Sequence, residues 1–164
     1  MMNTVDVPRF SLAESIERLE SMPTFLDAAI LAVAPEDLAS RPGPEEFSLV
    51  EHACHLRDLE REGYLVRVRR VLAGGRPALQ GYDGAAVAAA RNYPAEDARL
   101  AAQAFAAARR ELVGLLAATS PGDLAREATF DGSPVCLADV VAMMVEHDRG
   151  HREEIERLMD FLEE

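Results

Sequence analysis

The C-terminal stretch of the chain limits its fold more than any other. From Val140 through Met144, His147, His151, Ile155, Leu158 and Leu162, apolar residues and two histidines recur at three- and four-residue steps. That repeat lays them along one face of an α-helix, so the helix needs other elements to cover this stripe. Covering it also carries two imidazoles, one turn apart, toward the core. A polar ring buried without a partner costs several times RT. The remaining two of the four histidines, His52 and His55, stand together far upstream on a second expected helix.

The covering elements are legible in order. Ser11 and Glu14 form a capping box for a first helix with the stripe Leu12, Ile16, Leu19, Leu26, Ile30, Val33. Pro23 is expected to kink that helix or split it near Met22, and Pro35 to end it. Ser48 and Glu51 form a second capping box, and the helix bearing His52 and His55 should run to Leu72 or Ala73 and stop at Gly74-Gly75. The segment from Gly74 to Tyr93 is broken by Pro77, Gly81 and Gly84, with a helical turn or two over Ala85 to Arg91. An irregular segment of that length is a candidate pocket wall. Pro94 suits the first position of a third helix with the stripe Ala101, Phe105, Ala108, Leu112, Leu115. Asp131-Gly132 centres a hairpin over Glu127 to Val135, and the last helix covers Leu137 to Leu162. Four long amphipathic helices joined by long connections indicate an all-α four-helix bundle with crossover connections, over residues 1–164 as one domain.

Composition narrows the function classes. A net charge of -12 argues against nucleic acid and against anionic membrane surfaces. The apolar runs are too short to span a bilayer, and Met1 to Asp6 lack the pattern of a signal peptide. Cys54 and Cys136 make no disulfide framework, so a cytoplasmic setting is expected.

An isolated pair of histidines four residues apart is a weak signal. Three features strengthen it: both lie on the core stripe, all four histidines fall in two clusters, and the two helices can face each other. His55 would complete a three-nitrogen site with His147 and His151 and leave a position open, as catalytic metal sites do. His52 is a fourth ligand, a pocket-lining residue or an ordinary rim histidine. Asp58, one turn beyond His55, and Glu154, nearly one turn beyond His151, are placed to orient an imidazole or to handle a proton. Both equally suit ordinary surface carboxylates. Cys54 reads as a small buried residue, Cys136 likewise, and Glu153 as solvated. A di-iron centre would need a second Glu-x-x-His pair, and zincin chemistry a glutamate after the first histidine; neither is present.

Phe47-Ser48-Leu49-Val50-Glu51-His52-Ala53-Cys54-His55-Leu56-Arg57-Asp58-Leu59-Glu60, preceded by Arg41-Pro42, resembles the Trp-Ser-x-x-Glu-x-x-x-His-Leu-x-Asp-x-Glu segment of the DinB-like (YfiT-like) superfamily. His147 to Ile155 resembles its His-x3-His-x-x-Gln-Ile segment, Pro77 to Asp83 with Tyr93 its middle loop, and Arg109 to Leu116 its third helix. Phe47 for tryptophan, His52 for an apolar residue and Glu154 for glutamine are departures. The resemblance implies a bundle with a long crossover, metal ligands His55, His147 and His151, and often a homodimer. It implies zinc or nickel, with iron in some branches; three histidines also admit manganese. The expected function is that of a metal-dependent transferase acting on a small molecule with a low-molecular-weight thiol. The alternatives are a metal-dependent hydrolase, a non-catalytic metal-binding stress-response dimer, and a bundle whose histidines only pack. Asp58, Glu154 and His52 are the candidate proton carriers.

Overall fold

The computed structural model describes residues 9–164, so the reading of Met1 to Asp6 lies outside the described residues. The element order is α1 (Leu12–Ala32), α2 (Leu49–Leu59), a π-helical turn (Glu60–Tyr64) and α3 (Leu65–Ala73). Then come β1 (Ala78–Leu79), α4 (Gly84–Ala90), α5 (Ala98–Ala117), α6 (Pro121–Leu124), β2 (Glu127–Phe130), β3 (Ser133–Cys136) and α7 (Leu137–Glu163). The four long helices are α1, the continuous α2–π–α3 unit, α5 and α7. The principal neighbours of α1 are α5 and α7, while α2 packs chiefly on α5. Consecutive α1 and α2 therefore stand across the bundle from each other, and the connection through Pro35–Asp37 is the crossover. No helix among the described residues is long and apolar enough to cross a membrane.

Local chemistry sets the helix ends. Ser11 accepts from the Glu14 amide at 3.1 Å. The Ser48 box is complete, with the Glu51 carboxylate accepting from the Ser48 amide at 3.1 Å, and Arg41 clamps the same carboxylate. Gly74 adopts φ 85° at the end of α3, a conformation that suits glycine. The expected hairpin forms: Asp131 and Gly132 both have positive φ, as a two-residue turn matched to strand twist requires. β1, from the middle segment, adds a parallel third strand beside β2.

Three expectations need correction. Pro23 does not split α1, which runs unbroken from Leu12 to Ala32. Proline removes the amide that would bond the carbonyl four residues back, and that carbonyl, of Leu19, accepts instead from Arg109 Nη1 at 2.9 Å. The third helix starts at Ala98, not Pro94. Pro94 sits in a separate 3-10 turn, and Asp97 caps α5 by accepting from the Leu100 amide at 3.0 Å. Its buried stripe continues through Arg109, Leu112 and Leu116, with Leu115 only partly buried.

The core falls into two apolar blocks. One gathers Leu19, Leu59, Val68, Leu112, Leu137 and Met144 near the small sheet. The other gathers Leu26, Ile30, Leu49, Phe105, Ile155 and Leu158 at the opposite end. Along α7 the break between blocks holds His147, Asp148 and His151. Arg109, 2% exposed, crosses the same layer. Its Nη1 and Nη2 donate to Asp148 at 2.6 and 3.1 Å, and its Nε donates to Glu60 in the π turn. Burial opposes the charge on Arg109, but Asp148 and Glu60 more than offset this and hold it protonated. Removing one partner from a buried ion network leaves uncompensated charge and costs about 3–5 kcal/mol. Arg109→Ala should accordingly lose that much unfolding free energy in urea titrations, whereas exposed Arg69→Ala should change it by less than about 1 kcal/mol.

Candidate metal centre

α2 and α7 bring the two histidine pairs together in this polar layer. One ring nitrogen from each of His55, His147 and His151 lies within 4.8 Å of the others. Nε2 of His147 and Nε2 of His151 are 3.1 Å apart. Two nitrogens bound tetrahedrally to one ion at 2.0–2.1 Å would stand about 3.3 Å apart, so the pair has the spacing of ligands to a shared ion. The rings of His55 and His151 have centroids 4.8 Å apart.

Hydrogen-bonded packing does not account for these rings. Nδ1 of His55 and Nδ1 of His147 are buried and find no partner among the described residues. Each such atom costs about 1–3 kcal/mol, a cost that packing for stability alone does not repay. Burial and the neighbouring His151 ring depress His55 to about 4 and His147 to about 2. Burial depresses His52 to about 3. At neutral pH these three rings are uncharged, the protonation state of a metal ligand.

Neighbouring groups fix the rings. Tyr64 stands edge-on to His147 at 5.9 Å, and Phe47 packs on His52 and His55, each at 5.5 Å. The middle segment lies against His55. A Cβ built on Gly84, at the start of α4, would come within 2.5 Å of Cε1 of His55, so only glycine lets the backbone lie there. Arg91 and Tyr93 tie this segment to Asp58 at 2.7 and 2.6 Å, and Arg91 and Tyr82 tie it to Glu62.

The candidate residues divide accordingly. Asp58 accepts from Arg57, Tyr93 and Arg91, and from no histidine among the described residues. Burial would raise its carboxyl, but those hydrogen bonds prevail and bring it to about 2. Glu154 stands beside the cluster: its Oε2 lies 3.3 Å from His151 Nδ1, and the side chain is half exposed. The hydrogen bond with His151 holds its carboxyl below the ordinary value. His52 is buried with Nδ1 3.2 Å from His151 Nδ1. Cys54 is buried and free, its thiol pushed up to about 12 by that burial. Glu153 pairs with Arg149 on the surface.

Arg109 and Glu60 entered the sequence reading only within the family-like segments, Gly84 only as a breaker, and Asp148 only as the residue that departs from the di-iron and zincin patterns. For Arg109 and Asp148 the signal existed, since each falls four residues after a buried apolar residue, Phe105 and Met144. A charge on an apolar stripe is the same anomaly that drew attention to the histidines. Gly84 carries no such signal.

The depressed histidines make a pH prediction for metal-free protein. Unfolded histidine titrates near 6.5, so as pH falls through that value the unfolded chain takes up protons that the folded rings refuse. Stability is therefore complete above the unfolded pKa and declines toward the folded values. The thermal midpoint of metal-free protein should fall steadily between pH 7 and pH 5. In a variant with His52, His55 and His147 replaced by leucine it should be nearly flat.

Known proteins align with this architecture. Residues 18–155 match the sequence model of the DinB superfamily. No curated protein sequence matches the chain. Among solved structures, YfiT from Bacillus subtilis superposes with a TM-score of 0.83 at 18% identity, covering 96% of this chain and 91% of that one. YfiT is described as a probable metal-dependent hydrolase with an unusual four-helix bundle topology. The family match spans most of the chain and both histidine-bearing helices: this protein belongs to the DinB superfamily.

Proposed function

We propose that the protein binds one divalent metal ion through His55, His147 and His151 and uses it to activate a nucleophile against a small-molecule substrate, with hydrolysis as the leading reaction. The observation that carries this is the convergence of ring nitrogens from one buried and two half-buried histidines, two of them 3.1 Å apart. Three protein ligands leave a coordination position free, as in catalytic rather than structural sites. An ion held there lowers the pKa of a bound water or thiol and polarises the substrate. The description of YfiT favours water as the nucleophile. A low-molecular-weight thiol in its place gives the transferase that the sequence resemblance implies. Zinc or nickel suits three neutral imidazoles.

The chain's own residues complete the chemistry. Phe47, Tyr64 and the Gly84 backbone pack on the rings and hold them in place. Of the three proton-carrier candidates, Asp58 is saturated by cations and tyrosine, and His52 is buried. Glu154 is the carboxylate that reaches solvent beside the ring nitrogens, with Oε2 against His151 Nδ1, and it takes the nucleophile's proton through a bridging water.

Elemental analysis of purified protein should find one ion per chain, and none in His147→Ala/His151→Ala. Wild type that neither carries metal nor takes it up would sink the proposal. Ester, amide and phosphoester panels run without thiol test hydrolysis; electrophile panels that turn over only with added thiol point to transfer. Glu154→Gln should keep its metal and lose about 10²- to 10⁴-fold in kcat in whichever assay succeeds.

A further inference from the structure

The Nδ1 of His151 differs from the same atom of the other two rings. Nδ1 of His55 and Nδ1 of His147 have no partner among the described residues, whereas Nδ1 of His151 lies 3.2 Å from Nδ1 of His52 and 3.3 Å from Oε2 of Glu154. Nε2 of His52, a ring 2% exposed, lies 3.9 Å from that same oxygen. The two Nδ1 atoms need one proton between them, because two lone pairs repel and two N–H groups collide. Were His52 to supply it, His151 Nδ1 and His52 Nε2 would both turn lone pairs toward the Glu154 carboxylate. With the proton on His151, its Nδ1–H meets the His52 lone pair and the carboxylate, and His52 turns its Nε2–H toward Glu154. Every contact is then attractive. This tautomer leaves a lone pair on His151 Nε2, the nitrogen that faces His147.

We propose, building on the metal reading above, that His52 is a positioning residue: it accepts the His151 Nδ1–H and so presents His151 Nε2 to the ion in a fixed tautomer and orientation. Ligating histidines are commonly held this way through their second nitrogen, though by a carboxylate or carbonyl more often than by another imidazole. Glu154, on the solvent side, closes the chain of contacts. The competing arrangement is a second ion held by His52, His151 and Glu154, whose donor atoms also lie within 4.8 Å of one another. It would require both nitrogens of His151 as ligands and hence a fully deprotonated imidazolate.

Two measurements test the assignment. ¹⁵N NMR of histidine-labelled, metal-free protein should show His151 as the Nδ1–H tautomer; the Nε2–H tautomer overturns the proposal. In zinc titrations against a competing chelator, His52→Leu should bind one zinc about 10- to 100-fold more weakly than wild type. His52→Asn, whose Oδ1 falls near the lost Nδ1 and accepts the same hydrogen, should recover most of that loss, which a merely space-filling role would not produce. Equal zinc affinity in wild type and a folded His52→Leu overturns the proposal. So do two zinc ions per wild-type chain with one lost in His52→Leu. Wild type that takes up no zinc at all overturns the metal reading and the role of His52 with it. That failure is distinguishable, because the tautomer is read without metal.

Discussion

The buried guanidinium of Arg109 is the contact on which the rest of the bundle depends. It donates to the Leu19 carbonyl of α1, to Glu60 in the π turn, and to both oxygens of Asp148 on α7. One side chain on α5 thus ties together all four long helices. Arginine suits this place because its planar fork has donors enough for several partners and remains charged when buried. Hydrophobic contacts alone would tolerate sliding of one helix along another. Hydrogen bonds to a buried charge do not, because each lost partner leaves a desolvated group unpaired.

That constraint reaches the histidines directly. Asp148 follows His147 and precedes His151 by three residues, so fixing Asp148 against Arg109 sets the height of both rings along the bundle. Glu60 does the same for the helix that carries His55. The π turn begins at Glu60, and such turns recur where a helix is shaped for a functional site. The cost of the layer is visible in Glu60: burial pushes its carboxyl above the ordinary value, and its Oε1 has no partner among the described residues. The ion network and the histidine cluster share one polar layer between two apolar blocks.

The middle segment supplies the remaining constraint. Arg91, Tyr93 and Tyr82 reach Asp58 and Glu62, one residue on either side of the α2–π junction. This network presses Gly84 against His55. Asp58, placed by sequence one turn from a presumed ligand, serves in the structure to hold down that segment. Helical spacing shows which residues share a face; it does not show which neighbour occupies that face.

Much of the architecture was legible because it rests on short-range rules. The two caps at Ser11 and Ser48, the Asp131-Gly132 turn and the stripe of α7 all depend on residues within a few positions of one another. His147 and His151 stood out as anomalies on a buried stripe, clustering and the family resemblance joined His55 to them, and the fold brings those rings together with His52. Other features needed the tertiary structure, because they depend on contacts between residues distant in the chain. Pro23 looked like a break until Arg109, 86 positions later, supplied the missing donor. Asp58 and His52 looked alike as neighbours of His55, and only the packing of α4 and α7 sent one to Arg91 and Tyr93 and the other to His151. By itself the sequence determined the helices, the turn and the inward stripe that carries His147 and His151. The tertiary structure decided their partners, since long-range contacts alone assign a buried polar group its proton and its hydrogen bond.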